Sequence, residues 1–156
     1  MTFAITGLAR EEFADLFNLS DAALAERGVI RKKADNNPGY PCRITLEDAK
    51  PGETLLLLNY ESHKAETPYR SSYAILVREN AGEPAHYIDD LPPVMQRRPI
   101  ALRIFDKDGM LIGADLGRDG DETKTKIINA FNDPNAAYIH AHNAMHGCFA
   151  AAIERN

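Results

Sequence analysis

The 156-residue chain has no tryptophan, only two cysteines and no strong excess of either charge. Its longest unbroken apolar run, Cys148 to Ile153, is six residues, where a membrane-spanning helix needs about 20. No membrane partner is expected on that ground. Basic side chains number 18 and acidic ones 23, a net charge of −5. Nucleic acid is not an expected partner either, because phosphate binding calls for a concentrated basic patch. The opening Met1-Thr-Phe-Ala-Ile-Thr-Gly7 lacks a basic start and a long apolar stretch, so no secretory signal is expected. Cys42 and Cys148 lie far apart in a chain long enough to build a core without staples, and they read as reduced thiols of a cytoplasmic protein. The sequence contains no C-x-x-C, G-x-G-x-x-G, Walker loop, G-x-S-x-G or H-E-x-x-H. None of the chemistries those motifs carry is therefore announced, and no cofactor is named.

What is present is ordinary in bulk: 44% apolar and 26% charged residues, a globular composition. The length suits a single domain over residues 1–156. Leu8, Phe13, Leu16 and Phe17 fall at helical spacing. Ser20 is placed to cap a second helix over residues 21–27, and Gly28 stands where a left-handed residue ends one. Residues 35–41, with two prolines and a glycine, must be a loop, in which Tyr40–Pro41 is a candidate cis bond. Alternation predicts a strand over Cys42–Leu46, and β-formers predict others over 54–60, 71–78, 100–105 and 110–114. Asp106-Lys-Asp-Gly109 is a hairpin turn between the last two. A helix is expected over 122–131, stopped by Asp133-Pro134. These elements amount to an α+β fold, a mainly antiparallel sheet of about six or seven strands with three or four short helices.

The concentrated chemistry lies near the C-terminus. Residues 138–148 hold three of the five histidines and one of the two cysteines. On a strand, Tyr138, His140 and His142 share one face and Ile139 and Ala141 the other. A turn over 143–147 then returns the chain into 148–153, either as a second strand or as a short helix. In the hairpin reading, Phe149, Ala151 and Ile153 join Ile139 and Ala141. That parity sets Cys148 opposite His142. Four uses of this cluster are compatible with its residue types. The first is a small-ligand pocket lined by Tyr138, His140 and His142. The second is a cysteine-dependent enzyme in which Cys148 pairs with His142 or His140. The third is a metal site from His140, His142, His146 and Cys148. The fourth is a polar strand face with a purely structural or dimerising role. Two further segments add candidates. Cys42 and Arg43 follow a rigid Pro-Gly-Tyr-Pro loop, and Arg70 precedes Ser71 and Ser72 where a loop meets a strand; each arginine could hold an anion.

Several strings are specific when taken together: Ile5-Thr-Gly-Leu8, Pro38-Gly-Tyr-Pro-Cys-Arg43, Leu46-Glu-Asp-Ala-Lys-Pro-Gly-Glu53, Leu55-Leu-Leu-Leu-Asn-Tyr-Glu61, Pro68-Tyr-Arg-Ser-Ser-Tyr-Ala-Ile75, and His140-Ala-His-Asn-Ala144 with Gly147-Cys148. With them the chain resembles a bacterial family of small single domains called domain of unknown function 1203. The resemblance implies a bacterial soluble protein and supplies no activity or catalytic residue. The residues themselves lead to a small-ligand-binding α+β domain. Its polar pocket would form where the Cys42–Arg43 segment meets the C-terminal hairpin. A small anionic ligand and a second copy of the chain are the partners this reading leaves open.

Overall fold

The computed structural model describes residues 2–156. It is α+β, with two antiparallel sheets. In chain order the elements are β1 (Phe3–Thr6), a 3-10 turn (Arg10–Phe13), α1 (Ala14–Phe17), α2 (Asp21–Glu26), β2 (Ile30–Lys33), β3 (Thr54–His63), β4 (Ser71–Arg78), β5 (His86–Ile88), α3 (Pro93–Gln96), β6 (Ile100–Phe105), β7 (Leu111–Gly117), α4 (Gly120–Ala130), β8 (Tyr138–Asn143) and β9 (Phe149–Arg155). The larger sheet runs β5-β1-β9-β8-β6-β7 and the smaller β2-β3-β4.

Local chemistry places most of these. The Ser20 hydroxyl accepts from the Ala23 N–H at the start of α2, and Gly28 follows at φ 70°. Asp119 caps α4 by accepting from Glu122 N–H. Gly109 takes φ 81° in the β6–β7 turn. One face of the larger sheet (Phe3, Ile5, Leu102, Ile139, Ile153) packs on Met95 of α3 and Ile127 and Phe131 beyond it. The smaller sheet sets Leu56, Leu58, Ile75 and Val77 against Phe13, Leu16, Phe17 and Leu24. Each such side chain, fully buried, contributes about 1.5–3 kcal/mol.

Three short strands escape the sequence pattern. β2 and β5 are mostly exposed, so they carry no alternation to detect, and β1 is only four residues long. The expected strand over Cys42–Leu46 is overturned. Cys42 makes one parallel bridge to Leu76, and Pro41 bridges Asp48. The chain then bends back, with Leu46 at φ 54° and its N–H donating to Cys42 O. The cause is that this segment's backbone is divided among several neighbours instead of one strand. Arg43 N–H donates to Leu76 O, while the carbonyls of Arg43, Ile44 and Leu46 accept from Leu8, Ala85 and Val94. Residues 42–46 are thus a seam joining β4, the end of β1 and α3. The cis peptide lies at Asn37–Pro38, not at Tyr40–Pro41.

The C-terminal hairpin is a strand pair, as the first of its two readings expects, but its facing is corrected in one place. Ile139 opposes Ile153 and Ala141 opposes Ala151, after which a register shift sets His142 opposite Phe149. The extra residue, Ala150, is a bulge, and a bulge reverses the parity of what precedes it. Phe149 therefore turns to the histidine face, and Cys148 moves one position beyond His142, where its carbonyl accepts from Asn143 N–H.

Gly7 is held hard against the seam. A Cβ there would lie 2.0 Å from the Ile44 carbonyl oxygen, which cannot yield without breaking its bond to Ala85. Gly7→Ala is expected to cost about 2–3 kcal/mol, read as a lowered urea midpoint. An unchanged midpoint would mean that the seam is more pliant than its hydrogen bonds imply.

Candidate functional site

Two adjoining features meet on the inward side of the hairpin, a buried aromatic layer and an open cleft. The layer fills the space where β3 and β4 face β6, β8 and β9. His63 stacks on Phe105 with ring centroids 4.1 Å apart and stands edge-on to His140 at 5.3 Å. Phe149 meets His140 at 5.1 Å, and Tyr73 meets His142 at 4.9 Å. Arg103 of β6 donates to the Tyr73 hydroxyl at 2.5 Å.

Hydrogen bonds settle two tautomers. His63 Nδ1 lies 2.9 Å from Tyr69 O, and a carbonyl can only accept, so Nδ1 carries the proton. Its Nε2 then accepts from the Tyr138 hydroxyl at 2.6 Å. His142 Nδ1 donates in the same way to Gly147 O at 2.9 Å, pinning the β8–β9 turn. Burial lowers His140 to about 3, and the proximity of His63, His142 and Arg103 further disfavours a proton there. Burial likewise takes His142 to about 4, with Arg103 and Arg43 adding to it and the Gly147 carbonyl opposing. Both imidazoles are neutral at pH 7 and serve as aromatic packing with polar edges.

Beyond His142 along β8 the layer opens into a cleft of about 560 Å³. Pro38, Gly39, Pro41, Leu57, Ala74, Ile75 and Leu76 supply much of its wall; Arg43, Tyr73, Arg98, Asn143, His146 and Cys148 supply its polar groups. Arg43 is the unusual member, a guanidinium whose residue is only 3% exposed. It donates from Nε to Phe149 O at 2.8 Å, from Nη1 to Pro41 O at 2.7 Å, and from Nη2 to Cys148 Sγ at 3.1 Å. Among the described residues it forms no ion pair with any carboxylate. Burial lowers its pKa from the ordinary arginine value, with the nearby cysteines opposing, and a guanidinium keeps its charge in proteins. Arg98 differs, since Asp48 neutralises it through two bonds of 2.5 and 3.0 Å. Asn143 Nδ2 completes the surroundings of Cys148 Sγ at 3.4 Å.

The residues singled out from sequence are therefore divided. Arg43, Cys148 and His146 line the cleft, joined by Asn143. His140 and Tyr138 lie in the aromatic layer, and His142 stands between layer and cleft through Tyr73. Cys42 is fully buried in the core behind the seam, where its sulfur accepts from Arg78 N–H at 3.3 Å. Arg70 pairs with Glu61 at the surface, away from both features. Neither Cys148 nor Cys42 is bonded to the other. The hydrogen-bond partners of Cys148 are Arg43 and Asn143 rather than an imidazole. Among the described residues no group of three or more His, Cys, Asp or Glu is disposed to hold a metal ion, and no helix is long and apolar enough to cross a membrane.

Sequence reasoning missed His63, Tyr73 and Arg98. His63 reaches the layer only after an irregularity between Glu61 and His63 in β3, and Arg98 follows α3 in an irregular stretch with no periodicity. The one available hint for Tyr73 was its place in a β-rich run.

A family model described as "Protein of unknown function (DUF1203)" matches residues 39–155. The chain belongs to this family. The match takes in every polar residue of the cleft and all of the aromatic layer, and leaves out β1, the 3-10 turn, α1, α2 and β2. No curated protein and no solved structure matches the chain.

The two depressed histidines set an acid limit. As pH falls below about 6.5 the unfolded chain takes up protons that native His140 and His142 refuse, so stability declines toward pH 4. Each site contributes a slope of up to about 1.4 kcal/mol per pH unit. His140→Phe should flatten the fall in urea stability between pH 6.5 and 4; a slope equal to wild type would show that His140 is not held neutral.

Proposed function

We propose that the protein binds a small ligand with an anionic head and an apolar body, in the cleft between β4 and the β8–β9 turn. The observation that carries this reading is Arg43. Desolvating a guanidinium costs several kcal/mol, and buried charges are ordinarily paired. Here the charge faces two carbonyl dipoles and a sulfur, with no carboxylate beside it. An arriving carboxylate, sulfonate or phosphate would supply the missing negative charge. Asn143 and His146 offer further polar contacts, while Leu57, Ile75 and Leu76 give an apolar wall. A volume of about 560 Å³ falls within the range of small-molecule sites.

The aromatic layer belongs to the same reading as a support. It is packed and hydrogen-bonded internally, so it holds Asn143 and Cys148 in place instead of receiving the ligand. Two unpaired thiols suit a reducing bacterial cytoplasm as the place where this binding occurs, and the net charge of −5 gives nucleic acid no part in it.

Titration calorimetry with octanoate and its uncharged counterpart octanamide tests the proposal. Octanoate should bind at one site and more tightly than octanamide. Arg43→Gln should weaken octanoate by about 10- to 100-fold, the worth of one charged hydrogen bond. Ala74 is an exposed wall residue, so Ala74→Trp should block the cleft without disturbing the core. Equal binding of the two probes, or octanoate binding untouched by Ala74→Trp, overturns the reading.

A further inference from the structure

We propose that Cys148 is a thiol–disulfide exchange site for small anionic disulfides, which the cleft selects through Arg43. The inference rests on the anionic-ligand reading and assigns that site a covalent chemistry. The two cysteines differ sharply in access. Cys42 is fully buried and lies outside the cleft lining, whereas Cys148 is half-buried and lines the cleft. A molecule seated against Arg43 is therefore seated against one thiol only.

The groups around the sulfur choose the type of reaction. Arg43 Nη2 at 3.1 Å and Asn143 Nδ2 at 3.4 Å both present N–H to Sγ, so negative charge on the sulfur meets a fixed cation and an amide donor. No histidine hydrogen-bonds to it among the described residues. Acyl transfer to an amine or alkoxide leaving group requires a positioned acid to protonate that group. Disulfide exchange has no such requirement, because a thiolate leaves unaided. The layout, a donor-surrounded thiol with no imidazole hydrogen-bonded to it, fits exchange.

The step balances without any further reagent. Cys148 Sγ, its proton released to solvent, attacks one sulfur of R–S–S–R. The Cys148–S–S–R bond forms, the original S–S bond breaks, and R–S⁻ leaves with the electron pair. The disulfide is the oxidant and is reduced as Cys148 is oxidised. Arg43 and the apolar wall of Leu57, Ile75 and Leu76 favour an R group with a negative charge on an apolar or aromatic body.

The experiment uses the intact chain and two disulfides of opposite charge, dithiobis(nitrobenzoate) and cystamine. Exchange rates are compared with those of N-acetylcysteine, and the modified residue is mapped by mass spectrometry. Native protein should release one equivalent of thiolate, with Cys148 as the modified residue. Its preference for the anionic over the cationic disulfide should exceed that of N-acetylcysteine at least tenfold. In urea both cysteines should react and the excess preference should vanish, a reference that depends on no variant. Arg43→Gln should lose the preference and slow exchange at Cys148, the anionic disulfide losing more than the cationic one. A native preference no greater than that of the free thiol, modification at Cys42, or no native reaction overturns the inference. Protein that binds octanoate yet fails these tests loses the exchange site alone. Protein that binds no octanoate loses the pocket reading with it.

Discussion

The Arg43 guanidinium ties together parts of the chain that share no secondary structure. Its three bonded partners are Pro41, in the loop that precedes it, and Cys148 and Phe149, at the start of β9. Hydrogen bonds from a charged donor are worth about 1.5–3 kcal/mol each, enough to offset much of the cost of removing the charge from water. The same side chain therefore fixes the seam to the hairpin and delivers a cation to the cleft. Structure and proposed function depend on one buried charge. The lack of a carboxylate partner gives it something left to offer a ligand.

The seam explains why the two sheets sit where they do. Residues 42–46 exchange backbone bonds with β4, with the end of β1 and with α3, so the smaller sheet is attached by a segment that belongs wholly to neither. The aromatic layer then closes the remaining space. Imidazoles suit it because their rings pack like those of Phe105 and Phe149, while the nitrogens of His63 and His142 hold Tyr138 and the Gly147 carbonyl. A phenylalanine at position 142 could pack but could not pin the turn that carries Cys148. The histidines thus act on the cleft at one remove, by shaping the strand end from which Asn143 and Cys148 project.

Much of the architecture was legible along the chain. The Ser20 cap, Gly28, the Asp106–Gly109 turn and the strands over 54–60, 71–78 and 100–105 follow from short-range chemistry, which acts within a few residues and leaves a local pattern. The strand over 42–46 misled because its alternation was genuine: Cys42, Ile44 and Leu46 are all buried. Only the residue types alternate there: Arg43 is buried as well, because the segment threads between two cores. The hairpin was legible in its strands but not in its bulge. Nothing in Cys148-Phe-Ala-Ala-Ala-Ile153 says that Ala150 is the residue to be squeezed out, since the alanines are nearly equivalent in size and preference.

Sequence alone determined an α+β composition of short strands and helices, a net charge of −5 with no apolar run longer than six residues, and the concentration of histidine and cysteine between residues 140 and 148. It also brought Arg43 forward as an anion-holding candidate. Only the tertiary structure decided that this cluster is split, with His140 in a dry layer and Cys148 in an open cleft, and that Arg43 is buried without a carboxylate. The reason is physical. Residue type and spacing record what a side chain can do, whereas burial and charge pairing depend on neighbours about a hundred residues away in sequence, as Phe149 is from Arg43.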